Sequence, residues 1–317
     1  MALHRRYLIQ AILVFALTGC GNSVPGISES MIVVPASPIS TENVGISIGL
    51  SGPYLGQPDP GLDPEIFAGE IITGELHTSP VFTPNGKEVY WGMQNDTILF
   101  SKLVDGNWTQ PESISFSSSM SDYRDPFLSP SGERLFFISK GKLPNSNLPV
   151  KENIWFVDRS EVGWGEPQPV SEKVNAYNLH WQISVNDSGD LYFGSQVPSC
   201  GDIYVSRVSE GVYKEPEKLD TAINSETLCE QTPFIAPDGS YLVFSRMDMN
   251  DSSGMISLYI SYADGDGEWT EATRVPGVFY GLCPILSPDG KYLFYLSSPQ
   301  NVSWMSADFI ETLRPKE

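Results

Sequence analysis

Basic side chains are scarce in this sequence. It contains 19 Lys and Arg against 39 Asp and Glu in 317 residues, which gives a formal net charge of -20. Nucleic-acid backbones and anionic lipid headgroups attract clustered Lys and Arg. This balance therefore argues against a nucleic-acid partner and against an electrostatic grip on lipid. A cation or a basic partner is compatible with it.

Histidine and cysteine are also rare, with three and four residues. Only His77 and His180 lie beyond position 4, so several imidazoles cannot gather at one site. We predict neither a metal nor another cofactor. Long apolar runs are missing too, because the stretch at residues 7–17 is too short to span a bilayer as a stable helix.

The N-terminus has the pattern of an export signal. Basic residues 4–6 precede the apolar stretch, which ends in the letters LTGC at residues 17–20. Small residues before a cysteine resemble the lipobox of bacterial lipoproteins. The resemblance implies a signal peptide over residues 1–19 and lipidation of Cys20, which would attach the chain to a membrane. An ordinary signal peptide with an incidental cysteine is the alternative.

Residues 20–63 are rich in Ser, Pro and Gly and show no sustained period, which predicts a flexible tether. By resemblance to Gram-negative lipoproteins, Gly21 rather than an aspartate implies the outer membrane, on its periplasmic or surface face.

Residues 45–49 match the G-x-S-x-G nucleophile elbow around Ser47. That elbow needs a strand before the serine and a helix after it, and the pattern predicts neither.

One sequence unit recurs with a period of about 50 residues, marked by turn glycines. The marking glycines are Gly86, Gly132, Gly189, Gly239 and Gly290. Four of them end a P-x-x-x-P-x-G sequence, whereas the third copy lacks both prolines. Around each glycine we predict two apolar strands, then a third strand, a Gly-aromatic turn and a fourth strand near Pro-Glu. Such four-stranded units bury both faces only by stacking around an axis.

The two ends of the repeat array decide the number of blades. Pro64-Glu65 supplies a fourth-strand signature before the first repeat, and the last repeat has none after Trp304. We therefore predict an all-β, five-bladed propeller over residues 64–317. In it, an N-terminal strand near residues 65–72 completes the last blade and removes a sheet edge. A six-bladed ring that uses residues 40–64 as a further blade is the alternative.

The four good repeats and the strand after each resemble the WD40-like, or PD40, repeats of TolB-like propellers. The resemblance covers residues 64–310 and implies the fold. It leaves function open, because such propellers include a periplasmic partner-binding protein, non-catalytic lids of peptidases and some lyases.

Loops that enter the innermost strands of a propeller surround one mouth of its central channel. Here they are rich in polar and aromatic side chains, which predicts a ligand site at that mouth. The candidates are His77, Tyr123, Arg124, Asp125, His180, Trp181, Gln182, Glu230, Gln231 and Tyr280. The alternative is a plugged channel in which these groups pair with one another, Arg124 with Asp125 or Glu230.

Three functions are compatible with this arrangement of residues at the channel mouth. The first is a non-catalytic exported lipoprotein that binds a protein, a peptide or a glycan there. The second is a carbohydrate-active enzyme. A glycosidase would use the carboxylates of Asp125 and Glu230, with Glu75 and Asp122 in reserve, and a metal-dependent lyase would use the histidines. The third is an envelope scaffold with a plugged channel. The sequence contains no strong catalytic motif, which favours the first and the third.

The cysteines beyond the signal suggest a disulfide, which an oxidising compartment permits. Cys200 and Cys229 fall in loops predicted to lie at the channel mouth, so we predict that they pair. Cys229 with Cys283 is the competing pair, and otherwise Cys283 is a small buried thiol.

The loop at residues 264–267 resembles the start of a calcium loop but lacks the later ligands.

Overall fold

The computed structural model describes residues 47–117, 120, 122–144, 151–161, 163–177, 180–197, 200–251, 253–264 and 267–316. The signal peptide, the lipidation site at Cys20 and most of the tether lie outside the described residues. Within the described residues, no helix has the length and apolar character that crossing a membrane would require.

Strands are numbered in chain order. Two precede the repeats, β1 (Ser47–Ser51) and β2 (Glu65–Ile66). Blade 1 contains β3 (Val81–Phe82), β4 (Glu88–Met93), β5 (Thr97–Val104), β6 (Asn107–Thr109) and β7 (Glu112–Ser113). Blade 2 contains β8 (Arg124–Leu128), β9 (Arg134–Ser139), β10 (Asn153–Ser160), β11 (Gly163–Trp164) and β12 (Gln168–Pro169). Blade 3 contains β13 (His180–Val185), β14 (Leu191–Val197), β15 (Cys200–Ser206), the hairpin β16 (Val208–Ser209) and β17 (Val212–Tyr213), and β18 (Glu217–Lys218).

Blade 4 contains β19 (Cys229–Ile235), β20 (Tyr241–Met247), β21 (Ile256–Tyr262) and β22 (Thr273–Arg274). Blade 5 contains β23 (Leu282–Leu286), β24 (Tyr292–Ser298) and β25 (Asn301–Ser306), with β2 as its outer strand. A 3-10 turn (Tyr54–Gly56) and the short helices α1 (Glu172–Asn175) and α2 (Phe309–Leu313) complete the elements of the described residues.

The molecule is a five-bladed β-propeller of four-stranded antiparallel blades, as predicted. All five repeat glycines adopt positive φ, from 67° to 85°, so even the proline-free third copy makes the same turn. The second strand of each blade is covered on both faces by its neighbours. In β9, Leu135, Phe136, Phe137 and Ile138 are each at most 1% exposed. A run of apolar residues is what such a strand requires.

Strand β2 closes the ring, which confirms the predicted interlock. Glu65 pairs with Trp304 and Ile66 with Ser303, both antiparallel. The six-bladed alternative is wrong, because the described residues before β2 contribute a single short strand, β1, and it adds to the outer side of blade 1.

The residues before β2 form a strap at this seam, although the sequence predicts a tether up to residue 63. β1 pairs with β6, and Leu55 is completely buried. The Tyr54 ring packs edge-on against Phe82 and Tyr292, with centroids 5.2 and 5.3 Å apart. Because the strap buries isolated residues, it leaves no periodic pattern in the sequence. The element after β1 is a 3-10 turn and not an α-helix, so Ser47 lacks the context of a nucleophile elbow.

Asparagines in two of the links between blades replace part of the fourth strand. Asn175 accepts from the Ile154 amide at 2.7 Å and donates to its carbonyl at 3.1 Å. Asn224 makes the same pair of bonds to Ile203, at 2.7 and 2.9 Å. Both asparagines are buried, so their full pairing avoids a desolvation penalty. This repeated device was missed in the sequence, although both asparagines end the same pattern, Glu-Pro-x-x-apolar-x-x-x-apolar-Asn, at residues 166–175 and 215–224.

Candidate functional site

The channel has two ends, which we name by the direction of the innermost strands. At the entry end the chain runs into β3, β8, β13, β19 and β23, and at the exit end it leaves them through the repeat turns. The predicted site residues lie at the entry end.

Four innermost strands carry a bulge at the same repeat position near the entry end. Asp125, Gln182, Thr232 and Cys283 have φ between 40° and 52°, and the register with the second strand shifts at each of them. A β-bulge re-aims a side chain, and left-handed backbone at a residue other than glycine costs about 1–3 kcal/mol. All four residues are buried, so the surrounding packing holds this geometry.

Polar contacts made by these residues close the channel at one level. Gln182 Nε2 donates to the carbonyls of Pro284 at 2.9 Å and Pro233 at 3.3 Å, so blade 3 reaches blades 4 and 5. Thr232 Oγ1 accepts from the Cys283 amide at 3.2 Å. Gln182 therefore acts as a cross-channel tie, and its side chain is not available at the surface.

An apolar layer closes the channel at the next level. Four blades contribute a buried apolar residue at the same repeat position, namely Val81, Phe127, Phe234 and Ile285, whereas blade 3 has the buried Ser184 there and Val185 one residue later. The rings of Phe127 and Phe234 lie 6.4 Å apart, although their blades are not neighbours. The channel is thus filled by side chains at two successive levels.

Charged side chains cluster at the entry end between blades 1 and 2. His77 Nδ1 lies 2.5 Å from Asp125 Oδ1. Arg124 forms salt bridges with Asp96 and, at 2.8 Å, with Glu152. The Asp125 charge raises the pKa of His77, and burial raises the pKa of Glu152. Among the described side chains, Arg124 thus forms salt bridges with Asp96 and Glu152, from the loops between the second and third strands of blades 1 and 2, and not with Asp125 or Glu230.

A second buried ion pair lies in blade 4. Glu230 is completely buried and accepts from Arg246 Nε at 2.9 Å. Arg246 also donates to the Ile223 carbonyl at 2.8 Å and stacks over the Tyr259 ring at 4.7 Å. Burial raises the pKa of Glu230 to about 7, against the opposing charge of Arg246. Asp125 and Glu230 thus belong to two separate pairs, and both are buried.

Other predicted residues are held in the framework of the entry end. Tyr123 is buried and donates from its hydroxyl to the carbonyls of Met120 and Ser117, at 3.0 and 3.1 Å. Trp181 packs so closely over Gly201 that a Cβ there would lie 2.6 Å from its ring. Gln231 and Tyr280 are half-buried. The backbone of His180 pairs with Ser195, and its side chain lies outside the described residues.

The reserve carboxylates are dispersed. Glu75 is exposed, whereas Asp122 accepts from Ser139 Oγ at 3.2 Å and the Lys140 amide at 2.5 Å. In the described ranges, no three His, Cys, Asp or Glu side chains come close enough together to hold a metal ion. Asp264 Oδ1 accepts from the Glu268 amide at 3.0 Å, which caps the turn of its loop.

The cysteines divide into one bonded and one free residue among the side chains that the structure describes. Cys229 is disulfide-bonded, and Cys283 is a buried free thiol. A Cys229–Cys283 pair is therefore wrong. The predicted partner, Cys200, has a described backbone only, so that pairing stays a prediction. Burial raises the pKa of the Cys283 thiol, which keeps it protonated and inert.

Two features of the surface were missed in the sequence. The first is a cavity of about 250 Å³ at the exit end. Its walls are apolar ends of innermost strands, and its rim carries the second proline of four repeats, namely Pro84, Pro130, Pro237 and Pro288. That proline recurs in the repeat and could have signalled the rim. We read it only as a turn residue.

The second feature is a set of exposed apolar side chains on the entry face, Met249, Met255 and Phe279, which we call the entry-face apolar patch. These side chains are 58%, 40% and 76% exposed. β20 runs back from an exit-end turn, so the loop after it, with both methionines, lies at the entry end. Arg274 contacts both segments. Its Nη2 lies 3.5 Å from Met255 Sδ and donates at 3.2 Å to the carbonyl of Val278, the residue before Phe279. Single apolar residues in loops create no periodic pattern, so the sequence gives no sign of these exposed side chains.

Comparison with known proteins supports the fold and goes no further. No protein-family model matches the sequence, and no curated protein matches it. A protein from Agrobacterium tumefaciens assigned as TolB superposes with a TM-score of 0.51 at 18% identity, over 74% of this chain and 78% of that one. The likeness confirms the TolB-like resemblance at the level of fold, and PD40 repeats stay a prediction.

Two sugar-lactone enzymes are more distant in structure. A gluconolactonase from Xanthomonas campestris gives a TM-score of 0.43 at 10% identity, over 81% of this chain and 99% of that one. A protein from Bacteroides uniformis assigned as a 6-phosphogluconolactonase gives 0.38 at 15% identity, over 67% and 61%.

Proposed function

We propose that this chain is an exported, lipid-anchored propeller that binds a protein partner at its entry face and is not an enzyme. Its export and its anchor rest on the residue pattern that ends at Cys20. Since the first described strand begins at Ser47, a Ser-, Pro- and Gly-rich segment separates that cysteine from the propeller. An outer-membrane location rests on Gly21 alone.

The entry-face apolar patch is the observation that carries the proposal. Apolar side chains scattered singly are normal on a surface, whereas a contiguous exposed apolar patch marks an interaction site. Met255 and Phe279 lie near each other, because Arg274 contacts Met255 Sδ and the carbonyl of Val278, the residue before Phe279. Phenylalanine and methionine are enriched where proteins meet, and methionine adapts its shape to a partner. Phe279 has the largest exposed fraction of the exposed large hydrophobic residues described.

The buried charges of the entry end argue against a glycosidase at this mouth. A glycosidase needs two carboxylates that face a cleft. Asp125 is 3% exposed and Glu230 is 0% exposed, and each is held by a partner of opposite charge. The closed channel is also compatible with a scaffold that has no ligand, so the experiment has to separate these cases.

Site-specific photocrosslinking in the native host tests the proposal. A photoreactive amino acid replaces Phe279 in one strain and Val212 in another. Val212 is a matched control, because it is apolar and 55% exposed but lies in the β16–β17 hairpin of blade 3. We expect one discrete protein adduct from position 279, absent from position 212 and reduced by Met255→Lys.

Three results would overturn the proposal. Equal adducts from both positions would show unspecific contact, and no protein adduct from position 279 would favour a glycan ligand or a scaffold. An adduct unaffected by Met255→Lys would show that the patch is not the binding surface.

A further inference from the structure

The cavity at the exit end has the size of a small-molecule site. Its volume is about 250 Å³, and an apolar cavity of about 150 Å³ already holds benzene. All five blades contribute to its walls through the ends of their innermost strands. Three of the four prolines on its rim are exposed, so the cavity opens to solvent. It can therefore admit one aromatic ring with a short chain.

Aromatic side chains line the cavity from two blades. Phe127 and Phe234 are buried, and their rings lie 6.4 Å apart with planes inclined by 58°. Aromatic rings prefer edge-to-face and offset contacts with other rings, and their faces attract a cation. Both properties suit an aromatic ligand that carries a positive charge.

The hydroxyl groups in the lining add no charge. Ser129 Oγ accepts from the Arg134 amide at 3.1 Å, and Ser287 Oγ accepts from the Tyr292 amide at 3.0 Å. Both serines thus hold the repeat turns in place. Burial raises the pKa of Tyr241, which keeps its hydroxyl protonated.

Asp187 is the one charged residue among the described residues that line the cavity. It stands at the repeat position where the other four copies have the rim proline. Its amide donates to the Pro237 carbonyl at 2.7 Å, which fixes its backbone against the next blade. Asp187 is exposed, and no described residue forms a hydrogen bond or a salt bridge with its carboxylate. The carboxylate is thus available to a group that enters from solvent.

The five repeat turns around this mouth are acidic as a group. From the position of the rim proline to the residue after each glycine, the acids are Glu133, Asp187, Asp190, Asp238 and Asp289, and the bases are Lys87 and Lys291. Lys291 pairs with Asp289 at 3.3 Å, and Arg207 pairs with Asp190 at 3.4 Å. The remaining charges have a negative excess, which attracts cations to the mouth and repels anions.

We propose that the exit cavity binds a small aromatic amine. The aromatic ring of the ligand lies between the apolar walls, and its ammonium group pairs with the carboxylate of Asp187 at the rim. The cavity opens at the opposite end of the channel from the entry-face apolar patch, so the two sites are independent.

Calorimetric titration of the purified full-length chain in zwitterionic lipid nanodiscs tests this site without detergent, which could enter an apolar cavity. The probes are phenethylamine, 2-phenylethanol and 3-phenylpropionate, which share a ring on a two-carbon chain and differ in charge. We expect phenethylamine to bind most tightly and 3-phenylpropionate most weakly. Asp187→Asn should weaken the binding of phenethylamine about two- to fivefold, as for an exposed ion pair, and leave that of 2-phenylethanol unchanged.

A charge reversal at the rim is the sharper variant. Asp187→Lys should reverse the order, so that 3-phenylpropionate binds more tightly than phenethylamine. The control is Glu226→Lys, which makes the same change of charge at an exposed position of the link to blade 4, at the entry end. That variant should keep the original order.

Each remaining outcome contradicts the proposal. No binding of phenethylamine would remove the site. Equal binding of the amine and the carboxylate, or a preference for the amine that survives in Asp187→Asn, would remove the role of Asp187. Equal effects of the two lysine variants would show a general charge effect. If Asp187→Lys does not fold, Asp187→Asn decides, since that exposed carboxylate supports no contact of the described residues.

Discussion

The two ends of the channel differ in chemistry and in the space that they leave. At the entry end, charged and polar groups such as Arg124, Asp125 and Gln182 are buried and bonded to groups of other loops and blades. At the exit end, apolar side chains surround a cavity of about 250 Å³. The end with more polar and charged side chains is therefore the one whose described groups bond to one another across loops and blades.

The contrast shows why polar residues near an axis do not by themselves mark a site. Five blades crowd together at the channel, and every polar group buried there must find a partner. In this chain most of the partners are other residues of the ring, whereas Ser79 Oγ, Gln182 Oε1 and Glu230 Oε2 are buried without a hydrogen bond among the described residues. Apolar side chains need no hydrogen-bond partner, so the apolar walls of the exit end can stand apart beneath the proline turns and leave a cavity.

Removal of Arg246 should give the largest effect at the entry end. Arg246→Ala leaves Glu230 buried without its cation, and we expect a loss of about 3–5 kcal/mol in the free energy of unfolding, measured by urea denaturation. Arg314→Ala is a matched control, because Arg314 also pairs with a glutamate, at 2.8 Å, and also stacks over a tyrosine. That pair is exposed, so its loss should cost no more than about 1 kcal/mol.

The double variant Arg246→Met/Glu230→Gln should recover most of the loss, since no buried charge is then left unpaired. Equal losses for Arg246→Ala and Arg314→Ala would contradict the distinction between a buried framework pair and a surface pair.

Titration at the entry end should make the protein more stable at mildly acidic pH. The pKa of Glu230 is raised from 4.5 to about 7, so the native state binds more protons than the unfolded chain between these values. Its contribution is present below pH 4.5 and is lost as the pH rises towards 7. His77 acts in the same direction. Its contribution is present below its ordinary pKa of 6.5 and is lost as the pH rises through its raised value.

Urea denaturation at several values between about pH 5 and pH 8 measures this slope, which for one group is at most about 1.4 kcal/mol per pH unit. Glu230→Gln should flatten the part below pH 7, and His77→Gln the part above pH 6.5. A stability that rises with pH over this range in the unaltered chain would contradict both assignments.

The fold could be predicted because its signals recur. The turn glycines gave the period, and Pro64-Glu65 gave the closing strand that pairs with β25. The strap around Tyr54 could not be predicted, because single buried residues create no period. The bulges could not be predicted either. A residue before proline is normally extended, yet Asp125, Thr232 and Cys283 precede prolines and are left-handed.

The candidate site could be predicted only in part. The repeat alignment put His77 and Asp125 in loops at the same end of the channel, but it did not predict that they pair with each other, at 2.5 Å. It could not supply Arg246 as the partner of Glu230, because the other blades carry Met93, Ser139, Gln196 and Ser297 at that position of the second strand. The exit cavity depends on how far the blades stand apart, which is a property of packing and not of any one residue.

A small addition at the exit end should have the smallest effect and the opposite sign. Val185 lines the cavity and is 3% exposed. Val185→Ile adds one methylene beside open volume, and we expect a gain of about 0.5 kcal/mol in the free energy of unfolding, below the full value for a buried CH₂. Val243→Ile is the control, because Val243 is completely buried in β20 and is not among the residues that line the cavity. Overpacking there should cost about 1 kcal/mol or more. A loss in both variants would mean that the exit end is as tightly filled as the core. The two ends of the channel would then differ only in the polarity of their side chains.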